Sequence, residues 1–264
     1  MNILAVDTAG KSAAVAILRD DTLLYETQCN NGMTHSETLL PMIDTALRAC
    51  GLTMEDIDLT PAQLDLYAVT NGPGSFTGLR IGLSVVKGLA LPRQIPCAGV
   101  STMAALAYGL AGEGTVIGAQ DARRGQVYWG AFDLATHTRL TEDAAAPVTS
   151  LEKFVQDCKK PLFFVGDGAT LCYNSYKQVC GVAACPPALQ VLRGAGVALA
   201  ALWGGMQEGI TTTRAGFAAS MALLRKWMWP LWGGSNVPPY NRTFCTVPII
   251  LQKRRRRRFL SSFS

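Results

Sequence analysis

Residues 71–82 read NGPGSFTGLRIG, and the reading of this stretch decides how the rest of the chain is understood. Glycines, a proline and two hydroxyl residues stand between an apolar run, Leu66–Val69, and a helix-like stretch that continues to about Leu91. Glycine-rich turns between a strand and a helix often cradle phosphate, because free backbone N–H groups and the positive end of the helix dipole both point at the ligand. The same residues can equally open a helix that packs on another protein. The spacing alone leaves both readings standing.

Working outward, the residues before the loop predict strand Ile3–Val6, a turn over Asp7–Ser12, strand Ala13–Leu18 and a third strand over Thr22–Cys29. Thr34-His-Ser-Glu37 supplies a capping box, and Leu39, Leu40, Ile43 and Leu47 recur at helical spacing until Gly51, with a kink expected at Pro41. After the loop the pattern predicts a helix over Phe76–Leu91, a strand Cys97–Val100 and a helix Ser101–Leu110. Near residue 112 it begins again: strand Thr115–Ala119, the turn Asp121-Ala-Arg-Arg-Gly125 and strand Gln126–Phe132. A helix near Ser150–Cys158, strand Leu162–Val165, a Gly166-Asp-Gly168 turn and a helix around Gly194–Gln207 follow. Self-similarity at about half the chain length implies two related α/β lobes meeting at a cleft, each bringing an aspartate turn to it, where a phosphate or metal would sit.

Composition narrows the class. The chain of 264 residues is 49% hydrophobic, enough for real cores. Its formal charge of +5 rests on one run of six, Lys253–Arg258, and the remainder carries −1, so no folded basic face is implied. Asp7 interrupts what would be the apolar core of a signal peptide, and no apolar stretch is long enough for a bilayer, so a cytoplasmic protein without a membrane span is expected. Eight cysteines without a CxxC pair and only two histidines, His35 and His137, fit reduced thiols better than a zinc site. His35 is expected to serve its helix start, and His137 to be a solvated loop residue.

Five stretches carry a resemblance: ILAVDTA (3–9), HSETLLPMID (35–44), NGPGSFTGLRIGLSVVKGLA (71–90), GVSTMAALA (99–107) and DARRGQVY (121–128). Together they resemble the TsaB (YeaZ) family, the non-catalytic paralogue of the TsaD/Kae1 transferase, over about residues 1–209. The resemblance implies the ASKHA (actin/Hsp70-like) fold, with an N-terminal lobe over 1–111, a smaller lobe over 112–209 and an atypical basic tail over 210–264. It implies a role in placing threonylcarbamoyl on adenosine 37 of tRNAs that read codons starting with A. The implied partners are a TsaD-like transferase, a TsaE-like ATPase, a second copy of the chain, and tRNA through the complex. No cofactor of its own is implied; ATP or ADP enters at the level of the complex.

The paralogue's metal site is an HxxxH pair on the helix after the Gly99–Val100 strand. Two imidazoles four residues apart share a helix face and can chelate one ion. Here Thr102 and Leu106 hold those positions, so no metal site and no catalytic residue are expected. An enzyme of the same fold, an M22-like peptidase or an ATPase, is the competing reading. It lacks an HExxH or GxSxG motif, and Gly166-Asp-Gly168 is its one phosphate-loop candidate. Asp7, Thr8, Gly72, Gly74 and Ser75 are candidates for a vestigial nucleotide site, Asp7 either organising a metal and phosphate or fixing its own turn. Asp121 is expected to pair with Arg123 or Arg124.

Gly78 and Gly82, then Ser84 and Gly88, clear strips along the second helix that another helix can approach closely, or that pack on the chain's own sheet. The family's lobes pair through their N-terminal helices, so His35, Leu39, Ile43, Gly78, Gly82 and Val86 are expected at a partner interface, with Gly82→Leu blocking pairing while leaving the lobe folded. In the tail, Pro238–Arg242 only faintly echoes the family's C-terminal segment. Lys253–Arg258 reads either as a tRNA contact or as a solvated, frame-altered end.

Overall fold

The computed structural model describes residues 1–52, 64–92 and 95–204. The basic tail, Pro238–Arg242 and the expected end of the last helix lie outside the described residues.

Two five-stranded mixed sheets organise the described residues. In the first, β1 (Asn2–Asp7), β2 (Ala13–Arg19) and β3 (Thr22–Cys29) form an antiparallel meander, while β4 (Leu66–Gly72) and β5 (Cys97–Ser101) add in parallel beside β1, in the order β3-β2-β1-β4-β5. The second repeats this plan. Here β6 (Thr115–Arg123), β7 (Gln126–Asp133) and β8 (Ala144–Pro147) form the meander, and β9 (Leu162–Val165) and β10 (Val182–Ala184) add in parallel beside β6. The matching order is the duplication that the paired hairpins predicted, and the two lobes have the expected ASKHA architecture.

Among the described residues six α-helices cover the sheets: α1 (His35–Ala49), α2 (Phe76–Ala90), α3 (Thr102–Tyr108), α4 (Glu152–Asp157), α5 (Ala169–Tyr176) and α6 (Gly194–Leu199). Every residue of β1 from Ile3 to Asp7 is buried, which a sheet achieves only when both faces are covered. Helices α1 and α2 pack together and lie on β2 and β4, whereas α3 and α6 pack together, with α6 on β1 and β2. Helix α1 runs through Pro41 without ending there, and the capping box at Thr34 and Glu37 forms as expected. Helix α3 also reaches β6 and β7, and all seven of its residues are buried because it lies between the sheets. Gly118 and Gly130, opposite one another in β6 and β7, make room for it: a Cβ on either would stand 3.1 Å from an atom of Met103.

The last described segment departs from the expected division. The expected second lobe includes 194–204, yet Gly194 lies so close to β2 that an added Cβ would be 2.7 Å from the Ala16 nitrogen. Arg193 pairs with Glu26 of β3, and the other oxygen of Glu26 accepts the Ala195 N–H at 2.9 Å. The chain crosses back to the first sheet, so this helix belongs to that sheet's cover. Three elements had no readable pattern, β8, α5 and β10.

Candidate functional site

Two regions bear on function, the cleft between the sheets and the α1–α2 pair. Gly72 and Gly74 have φ of +113° and +157°, backbone that side chains rarely adopt, and they turn the chain from β4 into α2. The Ser75 hydroxyl caps α2 by accepting the Gly78 N–H at 3.3 Å. The Ser75 N–H donates to the Ala9 carbonyl at 2.7 Å. An N–H that a phosphate would use is thus taken by the first hairpin.

Asp7 supports that hairpin from inside. Its Oδ1 accepts the Ala9 N–H at 3.0 Å and the Thr70 hydroxyl at 2.7 Å, which is the turn-fixing role. The group is fully buried and its Oδ2 has no partner among the described residues. Burial pushes its carboxyl up from 3.8 to about 6, with those hydrogen bonds and the nearby His35 working in the opposite direction. Asp121 makes the same local turn, its Oδ1 accepting the Arg123 N–H at 2.7 Å, but at an exposed position. It holds Arg123 through the backbone rather than through the expected guanidinium pairing.

The cleft itself is a cavity of about 80 Å³ lined by Gly10, Lys11, Ser12, Gln120, Asp167 and Gln190 among others. The first aspartate turn reaches it through Gly10, Lys11 and Ser12, while Asp7, Thr8, Gly72, Gly74, Ser75 and Asp121 are not among its lining residues. Ligand pockets typically run to about 300–1,000 Å³, several times this volume. The Gly166-Asp-Gly168 turn is folded down on β6. The Gly168 N–H bonds the Ala119 carbonyl at 3.0 Å, and Asp167 accepts the Asp121 N–H at 2.9 Å. Burial raises the Asp167 carboxyl, and the Asp121 N–H and Lys11 act against it. Thr102 and Leu106, at the positions that the resemblance gives to a metal pair, are both buried. Among the described residues no three His, Cys, Asp or Glu side chains gather as metal ligands, and no helix is long and apolar enough to cross a membrane.

The expected interface residues lie mostly on the wrong face. Leu39, Ile43 and Val86 are wholly buried in the core. Gly78 and Gly82 are filled from within: an added Cβ would come closer than 3.0 Å to the Thr8 carbonyl oxygen and the Thr8 hydroxyl, respectively. Thr8 therefore occupies the first small-residue strip, and Gly82→Leu would damage the lobe before it reached any partner. His35 is half-buried, its Nε2 3.0 Å from the Gly10 carbonyl, and it ties α1 to the hairpin turn. His137 is not a free loop residue either; it stacks on Tyr108 at 4.5 Å with Nε2 3.0 Å from the Leu110 carbonyl.

The second strip does face outward. Ser84 and Gly88 are exposed, and a Cβ on Gly88 would meet nothing within 4 Å. Thr77 and Arg80 continue that face toward the helix start, where Arg80 lies over the Phe76 ring at 4.9 Å. Phe76, Leu40 of α1 and Met33 just before it are 37%, 44% and 54% exposed, large apolar side chains that sit at the same end of the helix pair. Sequence spacing identified two strips but carried no sign of which one the chain itself would fill.

Comparison with known proteins gives one consistent result. The family model described as TsaD, tRNA N6-adenosine threonylcarbamoyltransferase, matches residues 31–181. The chain is 31% identical to the tRNA threonylcarbamoyladenosine biosynthesis protein TsaB of Bacillus subtilis over 69% of this chain and 77% of that one. It is 38% identical to the Escherichia coli protein of the same name, over 50% of this chain and 55% of that one. The solved structure of YeaZ from Pseudomonas aeruginosa superposes with a TM-score of 0.60 at 25% identity, over 81% of this chain and 97% of that one.

Proposed function

The chain belongs to the TsaB family of tRNA threonylcarbamoyladenosine biosynthesis proteins, and on that premise we propose that it is a non-catalytic partner subunit, docking on a TsaD-type transferase through the outer faces of α1 and α2. The reaction it serves is transfer of threonylcarbamoyl to adenosine 37 of tRNAs reading codons that start with A. A TsaE-type ATPase completes the complex in the cytoplasm, nucleotide acts in the complex rather than in this chain's cleft, and the same face pairs two copies when the transferase is absent. An isologous pair of helices serves a homodimer and a pseudo-symmetric heterodimer equally well.

The observation that carries this reading is the outward strip. Leu40, Phe76, Ser84 and Gly88 combine exposed apolar area with small residues, the combination that lets two helix pairs approach closely. Gly88→Leu is the direct test. The new side chain points into open space, and leucine favours the helix over glycine by about 0.8 kcal/mol, so the free protein keeps or gains stability. Co-elution with the transferase is expected to be lost while the melting temperature does not fall; co-elution at wild-type strength excludes this face. The role itself is tested by reconstituting tRNA threonylcarbamoylation with a transferase lacking its own metal site. No transfer is expected, and any transfer would assign the chemistry to this chain.

A further inference from the structure

The cleft is narrow because a side chain of the second lobe stands in it. Gln120 lies on β6, yet its amide rests between two glycines of the first lobe: a Cβ on Gly10 would be 3.4 Å from Nε2, and one on Gly74 would be 2.8 Å from Oε1. Gln120 is 5% exposed, and its Oε1 is buried without a hydrogen-bond partner among the described residues. Two consequences follow from chemistry alone. The side chain fills the gap between the hairpin turn and the glycine loop, so the two lobes touch where a ligand would enter. A buried carbonyl oxygen without a donor is better solvated by water, so hydration of this one atom favours opening while packing favours closure.

We infer that Gln120 is an interlobe strut: it fills the space between Gly10 and Gly74, keeps nucleotide out of the cleft, and through its unpartnered oxygen leaves the closed cleft loosely held. The strut ends on Gly74, one residue before the cap of α2, and the Ser75 N–H beside it is bonded to Ala9. Movement of the second lobe therefore reaches the start of α2 through two adjacent residues. Closure of the cleft does not depend on the partner assignment and is tested without a partner.

The experiment is hydrogen exchange by mass spectrometry on the full chain, comparing wild type with Gln120→Ala and Gln120→Met. Alanine removes the strut; methionine keeps its volume and removes the oxygen. In peptides spanning 72–78, alanine is expected to speed exchange roughly tenfold and methionine to slow it roughly threefold, with peptides of β9 unchanged. Wild-type exchange in the alanine variant would overturn the strut. Faster exchange in the methionine variant would show that the amide is hydrogen-bonded in place, and would overturn it too. Should the alanine variant lose protection in β9 as well, its fold has loosened as a whole, and the methionine variant decides by the same signs.

Discussion

Gly78→Ala is expected to destabilise the protein by about 3 kcal/mol, a large effect for one methyl group. The added carbon would lie closer than 3.0 Å to the Thr8 carbonyl oxygen, with the His35 ring 3.2 Å away on another side. That oxygen belongs to backbone directly following β1, whose residues Ile3–Asp7 are buried, so it has little freedom to withdraw. Gly88→Ala is the control on the same helix. There the methyl meets nothing, and the intrinsic preference for alanine is expected to raise stability by up to about 1 kcal/mol. Urea unfolding of the two variants separates the contact with Thr8 from helix propensity, because propensity acts alike on both. Equal changes would mean that α2 is not seated on Thr8.

Asp7→Asn is expected to stabilise the protein at neutral pH by about 2 kcal/mol. The folded protein holds the Asp7 proton up to about pH 6, whereas the unfolded chain releases it near 3.8. Between these values the folded state binds more protons than the unfolded state, so stability falls as pH rises. Below the window the term is fully present; above it the charged, buried carboxylate costs about 3 kcal/mol. Asparagine keeps an oxygen for the Ala9 N–H and the Thr70 hydroxyl and carries no charge, but its amide nitrogen inherits the unpartnered place of Oδ2 at a cost of about 1 kcal/mol. The measurement is the difference in unfolding free energy between variant and wild type at pH 4.0 and 7.5. That difference should grow with pH and level off above about 6; a constant difference would place the carboxyl outside the buried site.

Much of the fold was legible because its signals are local. The hairpin around Asp7, its copy around Asp121, the capping box at Thr34 and the strand Leu162–Val165 each show in a few neighbouring residues. Other elements were not legible for equally physical reasons. Ala144–Pro147 has no strand pattern of its own and is a strand only because β7 offers it an edge. Helix α5, Ala169–Tyr176, shows no clear apolar stripe, with Ala169, Cys172 and Tyr176 as its buried residues. The candidate site failed in a more specific way. Gly78 and Gly82 are places of close approach, as their spacing implies, but the approaching group, Thr8, is 70 residues away from Gly78 in the chain, and small residues do not say from which side they are filled. Gln120 carries no signal in the sequence, because a glutamine in a strand is ordinarily an outward residue; only a second lobe folded against it makes it an inward one.

Helix α3 is held in common. Its residues contribute to the core under the first sheet, and Met103 is seated on the paired glycines of the second, its backbone on Gly118 and its side chain on Gly130. Neither half of the duplication therefore owns a complete hydrophobic interior, and a chain divided at residue 111 would leave β6 and β7 without the helix that covers them. Unfolding one half exposes the interior of the other, so the described residues should melt as one cooperative unit, with a single calorimetric transition whose enthalpy equals its van't Hoff value. Two lobes of matching strand order would then behave as one thermodynamic object.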